Sequence, residues 1–512
     1  MNRAKSWGLL LVLALLVMVL AAFPAAAQPE SPDVVITEPA AMSTISGIVT
    51  VSGTVNPPNL SFYYLEVASF LADPASAVWT PVTLPANVPV TNGPIAQWNT
   101  AMTPDDTYAL RLHAFMTDGT EAAFLQRPVR VANAGAPVGA ATPQPQPTPA
   151  GVRPIDETRF EAGVQVQVSH DLMEQWADVA ANQLGVNWVK MQVRWENFEP
   201  ENDVYDWTDT DLFIPAMAEQ GVNVLVSVVT APDWAREPGV NVQRHGPPAD
   251  PAEYAEFVGE LVARYPGQIG AVEVWNEQNL DREWTSIQGL SASNYVSLLA
   301  AAHDAIKAVD PGIIVVSGAL SPTGLNNGVQ AWDDFTYMDQ MIAAGLLTYA
   351  DCVGAHHNGL NLSPDYEWNQ VPNDPTARFR GPFDNPHHSW SFRSTLQGYA
   401  QRIRNAGGDQ QLCVTEFGWP SATGLSGVAN GLEFSYDNTL EEQRDFTVKA
   451  LDFMSQSGDV RLAFLWNLNY GPQAGWAADN ENVPWSIIGP DFVFRPVFDA
   501  VRDWNRAYEG EA

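Results

Sequence analysis

Residues 251–277 have the sequence PAEYAEFVGELVARYPGQIGAVEVWNE, and this stretch holds one repeating unit of the fold. From Pro251 to Tyr265 apolar side chains recur every three or four positions, which predicts an amphipathic helix. From Ala271 to Glu277 an apolar run ends at a carboxylate, which predicts a buried strand. A helix followed directly by a buried strand is typical of proteins built on a parallel sheet.

The same alternation continues on both sides of this unit. We predict eight strands, at residues 160–168, 188–195, 222–229, 271–277, 312–318, 352–357, 411–417 and 461–467. We predict helices at residues 171–184, 251–265, 292–309, 334–344, 392–405, 440–455 and 496–507. No Gly-rich phosphate loop follows the first strand, so the pattern favours a closed barrel over an open doubly wound sheet. The predicted fold class is α/β, with a (β/α)8 TIM barrel over residues 155–510.

An all-β domain is predicted before the barrel, over residues 33–132, because short alternating runs are separated there by turn residues. The segments Trp98-Asn99-Thr100 and 108–112 resemble bacterial immunoglobulin-like modules, and that resemblance implies a sandwich. Its role as a spacer or as a sugar-binding module stays open. Residues 133–154 are rich in Pro, Ala, Thr and Gln, which predicts a semi-rigid linker.

The first 27 residues predict a signal peptide. Arg3 and Lys5 precede an apolar stretch, and Ala25-Ala26-Ala27 provides a cleavage site. The alternative is an uncleaved membrane anchor, for which the apolar stretch is short. We therefore expect a secreted or cell-surface protein with no membrane association beyond export.

Composition limits the choice of partner. A formal net charge of -34 disfavours nucleic acid and anionic membranes, and leaves neutral polymers open. The 18 Trp suit a carbohydrate, because indole rings pack well on the apolar faces of sugars. The expected partner is an oligo- or polysaccharide; no cofactor is expected, and the oligomeric state stays open.

Two carboxylates stand where a barrel carries its chemistry, at the carboxyl ends of strands. The fourth strand ends in Asn276-Glu277 and the seventh ends at Glu416. Both segments resemble the catalytic strands of the glycoside hydrolase clan GH-A, in its cellulase-like and β-xylosidase-like (family 39) branches. The resemblance implies a retaining glycosidase acting on a β-linked glycan, with Glu277 as acid/base and Glu416 as nucleophile. In such enzymes the carboxyl groups lie about 5–5.5 Å apart.

The resemblance also implies substrate-binding residues. Asn276 is expected to hold the sugar 2-hydroxyl, and Arg194, on the second strand, to hydrogen-bond the nucleophile. Trp466 is expected to form the floor of the first sugar subsite, and Trp234 to extend that aromatic platform. Because strict alternation points Asn276 and Glu277 to opposite sides, the strand end must bulge or turn.

His356 aligns with a histidine of the clan and is expected in the site. Asn358 stands where the clan often has a tyrosine that contacts the nucleophile, so Tyr470 or another loop residue could replace that contact. His356 and His357 could suggest a metal ion, but no third ligand has suitable spacing, and no metal site is expected there.

The two cysteines, Cys352 and Cys413, are predicted to be free buried thiols. If His356 points into the barrel, so does Cys352, whereas Cys413 has the parity opposite to Glu416 and would point outward. A disulfide is then disfavoured unless His357 is the residue that points inward.

Two other functions remain open at this point. One is a barrel without catalysis that binds glycans at the cell surface, although retention of both glutamates argues against it. The other is a transglycosylase that uses the same glutamates, which differs only in whether water or a sugar reaches the glycosyl-enzyme.

Overall fold

The chain divides into two units, Met1–Ala136 and Pro137–Ala512. The structure, a computed structural model, describes residues 33–40, 43–69, 79–133, 155, 159–170, 172–378 and 387–510. The predicted signal peptide and all but the first residue of the predicted linker lie outside the described residues. Among the described helices, none combines the length and the apolar character needed to cross a membrane.

The first unit consists of two sheets whose inner faces share one apolar core. A three-stranded sheet has the order β1-β3-β6 and a five-stranded sheet the order β2-β8-β7-β4-β5. The strands are β1 Val34–Glu38, β2 Thr44–Ile45, β3 Ile48–Val55, β4 Leu60–Ser69, β5 Thr80–Pro81, β6 Val90–Asn99, β7 Asp106–Met116 and β8 Glu121–Val131. Alternation explains the core, since Tyr63, Leu65 and Val67 of β4 are all buried. The immunoglobulin-like resemblance stays a prediction.

The second unit is built on eight parallel strands, as predicted. They are β9 Glu161–Gln165, β10 Trp188–Arg194, β11 Asn223–Val229, β12 Ile269–Val274, β13 Ile314–Ser317, β14 Val353–His357, β15 Leu412–Phe417 and β16 Val460–Leu465. Their order is β13-β12-β11-β10-β9-β16-β15-β14. Parallel bridges from Val316 to Cys352 and from Leu320 to Ala355 join the two edge strands. The sheet therefore curls into the expected (β/α)8 barrel.

Helices follow the barrel strands. They are α1 Met173–Asp178, α2 Trp195–Phe198, α3 Thr208–Glu219, α4 Pro251–Arg264, α5 Ala292–Val309, α6 Asp334–Ala343, α7 Leu346–Tyr349, α8 Phe392–Asn405, α9 Leu440–Ser457, α10 Tyr470–Gln473 and α11 Pro496–Gly510. Five of them, α4, α5, α6, α8 and α9, begin at a side-chain cap. Thr439 and Glu442 form a capping box before α9, and Gly458, at φ 69°, ends it.

The prediction of two free thiols is wrong. Cys352 and Cys413 form a disulfide with a Cα–Cα distance of 5.8 Å. Both belong to the apolar layer inside the barrel. The parity argument failed at β15, whose register shifts between Val414 and Phe417. This irregularity lets Thr415 and Glu416 both bond residues inside the barrel, so Cys413 also faces inward although it lies three residues before Glu416.

Candidate active site

The backbone turns sharply where β12 ends. Trp275 and Glu277 have φ values of 78° and 44°, in the left-handed region that costs a non-glycine residue about 1–2 kcal/mol. Hydrogen bonds hold the turn: the Trp275 amide donates to the Val228 carbonyl at 3.0 Å and the Glu277 amide to the Ala319 carbonyl at 2.8 Å. The expected break in alternation is therefore present, and both Asn276 and Glu277 line one cavity.

Glu416 is held from two sides at the end of β15. Lys190 Nζ on β10 lies 3.3 Å from Glu416 Oε1, and Asn358 Nδ2 donates to Glu416 Oε2 at 3.0 Å. The residue that replaces the usual tyrosine thus contacts Glu416 itself. Both oxygens of the carboxylate are fixed, and Oε2 still faces the cavity side where Asn358 lies.

Lys190 is fully buried between two carboxylates, with Nζ 3.3 Å from both Glu273 and Glu416. Burial alone lowers the pKa of Lys190, but the two carboxylates outweigh it and raise the pKa above its usual value. Glu273 also accepts a hydrogen bond from Thr415 Oγ1 at 2.6 Å. The barrel therefore keeps a positive charge directly beneath Glu416.

Glu277 has two partners of its own. Arg282 Nη2 donates to Glu277 Oε2 at 2.7 Å, and His356 Nδ1 lies 3.3 Å from Glu277 Oε1. Burial raises the pKa of Glu277, but His356 and Arg282 outweigh it and lower that pKa to about 2. In the absence of a sugar, Glu277 is therefore a carboxylate.

The His356 ring lies between the two glutamates. Its Nδ1 is 3.3 Å from Glu277 Oε1 and its Nε2 is 3.8 Å from Glu416 Oε1, and only 1% of the side chain is exposed. Burial lowers the pKa of His356, but the Glu416 charge and the Glu277 hydrogen bond outweigh it, so that the pKa lies above its usual value. One imidazole therefore spans the distance between the two carboxylates.

Two cavities meet at Glu277. The larger, of about 410 Å³, is mostly polar and contains both Glu277 and Glu416. The smaller, of about 210 Å³, lies beside it and shares Glu277, Asn358 and Trp485. A chain of sugar rings that passed from one cavity to the other would cross Glu277.

The structure brings most of the predicted site residues together. Asn276, Arg194 and Trp466 line the larger cavity with the two glutamates, and His356 lines the smaller one. Trp234 is placed elsewhere: its Nε1 donates to the Glu199 carbonyl at 2.9 Å and its ring packs edge-on against Trp195. Trp234 is not among the residues that line either cavity, so its predicted contact with a sugar has no support in the structure.

The predicted contact between Arg194 and Glu416 is wrong. Arg194 Nη2 lies 2.6 Å from Glu196 Oε1 and 2.8 Å from His245 Nε2, at the rim of the larger cavity. Lys190, four residues earlier on the same strand and therefore two periods of alternation deeper, takes the position beside Glu416. The resemblance therefore pointed to the correct strand but not to the residue at the depth of Glu416.

Sequence reasoning missed Arg282. It lies five residues after Glu277 on the same loop and carries one of only 25 basic side chains in a chain with 59 acidic ones. A basic residue so close to a predicted catalytic glutamate was a usable signal. Trp485 also lines both cavities; its Nε1 donates to the Asn358 carbonyl at 3.0 Å, which supports the loop that holds Asn358.

Comparisons with solved structures give the same fold. The chain is similar to a family 39 glycoside hydrolase from the gut symbiont Bacteroides cellulosilyticus WH2, with a TM-score of 0.52, 16% identity, and coverage of 90% of this chain and 80% of the other. GH5_18 from Streptomyces cattleya has a TM-score of 0.47 and 14% identity, with 70% and 82% covered. Xylanase 10B from Thermotoga maritima has a TM-score of 0.44 and 14% identity, with 70% and 98% covered.

These structural neighbours include enzymes of families 39, 10, 5 and 30, all of clan GH-A, the clan that the strand motifs resemble. The chain matches no protein-family model and none of the curated proteins. At these identities the likeness establishes the barrel fold, and the chemistry has to be argued from the residues of the site.

Proposed function

We propose that this protein is a secreted retaining glycoside hydrolase that cleaves a β-linked glycan by double displacement. Glu416 is the nucleophile and Glu277 the acid/base. The observation that carries the proposal is the pair of carboxylates in one polar cavity, separated by a single imidazole ring. Two carboxyl groups facing one sugar are what this reaction requires.

Glu416 is suited to attack. Lys190 fixes Oε1 from below and Asn358 fixes Oε2 from the cavity wall, so the carboxylate is positioned before a sugar arrives. In the first step a Glu416 oxygen bonds to the anomeric carbon while the bond to the leaving oxygen breaks. The proton of Glu277 goes to that leaving oxygen. One bond to the anomeric carbon forms as one breaks, and the negative charge passes from Glu416 to Glu277.

The second step reverses the role of Glu277. As a carboxylate it takes a proton from water, the water oxygen bonds to the anomeric carbon, and the bond to Glu416 breaks. This role fits the ionised state in which Arg282 and His356 hold Glu277. The first step needs the opposite state, so Arg282 has to leave Glu277 when substrate binds.

The test is hydrolysis of aryl β-glycosides and of β-glucan, xylan and mannan by the mature protein. Glu416→Gln is expected to lose activity on every substrate. Glu277→Ala is expected to lose activity on polymers and to recover part of it with azide when the leaving group is good, because azide replaces the water that needs a base. NMR of the first product is expected to show retained anomeric configuration.

Glu260→Gln is the matched control, since Glu260 is exposed on α4 on the outside of the barrel. It is expected to behave as wild type. Inverted configuration would refute double displacement. Binding of glycans without cleavage would favour the surface-binding protein, and products dominated by transfer at modest acceptor concentration would favour the transglycosylase.

Export is part of the proposal and rests on the basic and apolar pattern of residues 1–27. We expect the mature chain to begin at Gln28. N-terminal sequencing of protein recovered from the culture medium of a bacterial host tests this, and retention of residues 1–27 in a membrane fraction would favour the uncleaved anchor.

A further inference from the structure

Four metal-ligating side chains meet outside the site already described, where the start of α6 meets the short helical turn His388–Trp390. Two consecutive aspartates, Asp333 and Asp334, face two consecutive histidines, His387 and His388. His387 Nε2 lies 3.3 Å from Asp333 Oδ2, and His388 Nε2 lies 2.9 Å from Asp334 Oδ1. Ligand atoms of Asp333, His387 and His388 all lie within 4.8 Å of one another.

We propose that Asp333, His387 and His388 bind a zinc ion, with Asp334 completing the set. Nitrogen and carboxylate donors in this number suit Zn²⁺, and with bonds of 2.0–2.2 Å a tetrahedral site separates its ligand atoms by about 3.3 Å. The spacing between His387 and Asp333 already has that value. A ring nitrogen of His388 lies within 4.8 Å of the ligand atoms of the other two residues, and His388 Nε2 contacts Asp334 Oδ1 at 2.9 Å.

The surrounding contacts support ligation. Asp333 Oδ1 caps α6 through the Thr336 amide at 3.0 Å, so Oδ2 is the oxygen turned to the histidines. His387 Nδ1 accepts from the Ser389 amide at 3.3 Å and lies 2.9 Å from Ser389 Oγ; ligation through Nε2 moves the ring proton to Nδ1, which then donates to that hydroxyl. Tyr399 donates to Asp334 Oδ2 at 2.7 Å, which orients that carboxylate.

An ion can reach the cluster because the side chains of His387 and Asp333 are 27% and 13% exposed. The cluster also adjoins the wall of the smaller cavity. Ser389 lines that cavity, and the Thr323 amide, next to the lining residues Ser321 and Pro322, donates to Asp334 Oδ1 at 3.1 Å. Zinc would tie these two wall segments together beside Glu277.

The experiment uses the whole mature chain, from which bound metal is removed with EDTA. Zinc chloride is then titrated into the protein by calorimetry, and the metal that stays bound after dialysis is measured. We expect one zinc per chain and a higher Tm with zinc. His387→Gln and His388→Gln are expected to weaken binding by at least about 100-fold, since loss of a residue that only orients a ligand already costs 10- to 100-fold. Cobalt in place of zinc is expected to give the absorption spectrum of a tetrahedral site.

Two further variants separate ligation from folding. Asp333→Asn keeps a side chain that caps α6 and removes the charged ligand, so it should fold and lose zinc. His170→Gln is the matched control, because His170 is 61% exposed and pairs with a single carboxylate, Asp209, at 3.0 Å. Absence of stoichiometric zinc in the wild type, or equal zinc affinity in wild type and His387→Gln, would overturn the proposal.

Discussion

The ion pair between Arg282 and Glu277 is expected to control the alkaline limit of activity. Arg282 Nη2 lies 2.7 Å from Glu277 Oε2, and the pKa of Glu277 is about 2 with this partner in place. A general acid with so low a pKa is almost entirely deprotonated at neutral pH. Replacing Arg282 by Ala removes the nearest positive charge and should raise the pKa of Glu277.

The size of the effect follows from the distance. An opposite charge within about 4–6 Å lowers the pKa of a carboxyl group by about 1–3 units. Arg282→Ala should therefore raise the pKa of Glu277 by about that amount. Each unit makes the protonated acid about tenfold more abundant at a fixed pH above the pKa, which corresponds to about 1.4 kcal/mol.

The assay is the pH dependence of kcat/KM and of kcat on a glycoside with a poor leaving group, for which protonation matters most. The kcat/KM profile reports the free enzyme and the kcat profile the complex. In wild type the alkaline limb of kcat should lie at higher pH than that of kcat/KM, because the proposed mechanism requires Arg282 to leave Glu277 in the complex with substrate. In Arg282→Ala the kcat/KM limb should move up by about 1–3 units.

Arg282→Lys is the matched control, since it keeps the positive charge and should leave the limb near its wild-type position. An alkaline limb that does not move in Arg282→Ala would refute the reasoning. It would mean that this contact does not set the protonation state of Glu277 in the working enzyme.

Three further predictions concern the buried groups. Lys190→Met should destabilise the protein by about 3–5 kcal/mol in urea unfolding, because it leaves two buried carboxylates without their cation; a loss below 1 kcal/mol would contradict this. Burial lowers the pKa of His357 to about 4, so its stabilising contribution is complete above about pH 6.5 and is lost as the pH falls towards 4. Between pH 6.5 and 4 the free energy of unfolding of the wild type should fall by about 3 kcal/mol more than that of His357→Gln. If the two proteins show the same dependence of this free energy on pH, the prediction is wrong. Cys352→Ala, which opens the disulfide to Cys413 across a separation of 61 residues, should cost up to about 4 kcal/mol, and an unchanged urea midpoint would argue against the bond.

The barrel was predictable because each of its strands is a short apolar run between turn signals, and such runs are buried on both faces of a parallel sheet. Helix α3, Thr208–Glu219, was missed. It contains Pro215 in its interior and two acidic residues in its first turn, and a proline inside a pattern usually indicates a helix end. Packing against the barrel overrides that local signal, since Phe213, Ile214 and Met217 are fully buried.

The site was predictable in kind but not in detail. Strand ends located Glu277 and Glu416, because function concentrates at one face of such barrels. The strand motifs could not say which residue of β10 reaches Glu416, since that depends on the stagger of strands across the barrel. Parity also failed for Cys413, because a local shift in register reverses every side chain beyond it.

The charged partners of Glu416 and Glu277 differ in how easily a sugar could displace them. Lys190 is matched by Glu273 and Glu416 and is wholly buried, so a sugar cannot displace it. His356 is equally enclosed. Arg282 is the exception among the described charged partners of the two glutamates: its side chain is 59% exposed, and Glu283 Oε1 lies 3.5 Å from its Nε as an alternative partner. In the proposed mechanism, buried Lys190 therefore fixes the charge of the nucleophile, whereas the protonation of the acid depends on an exposed loop arginine.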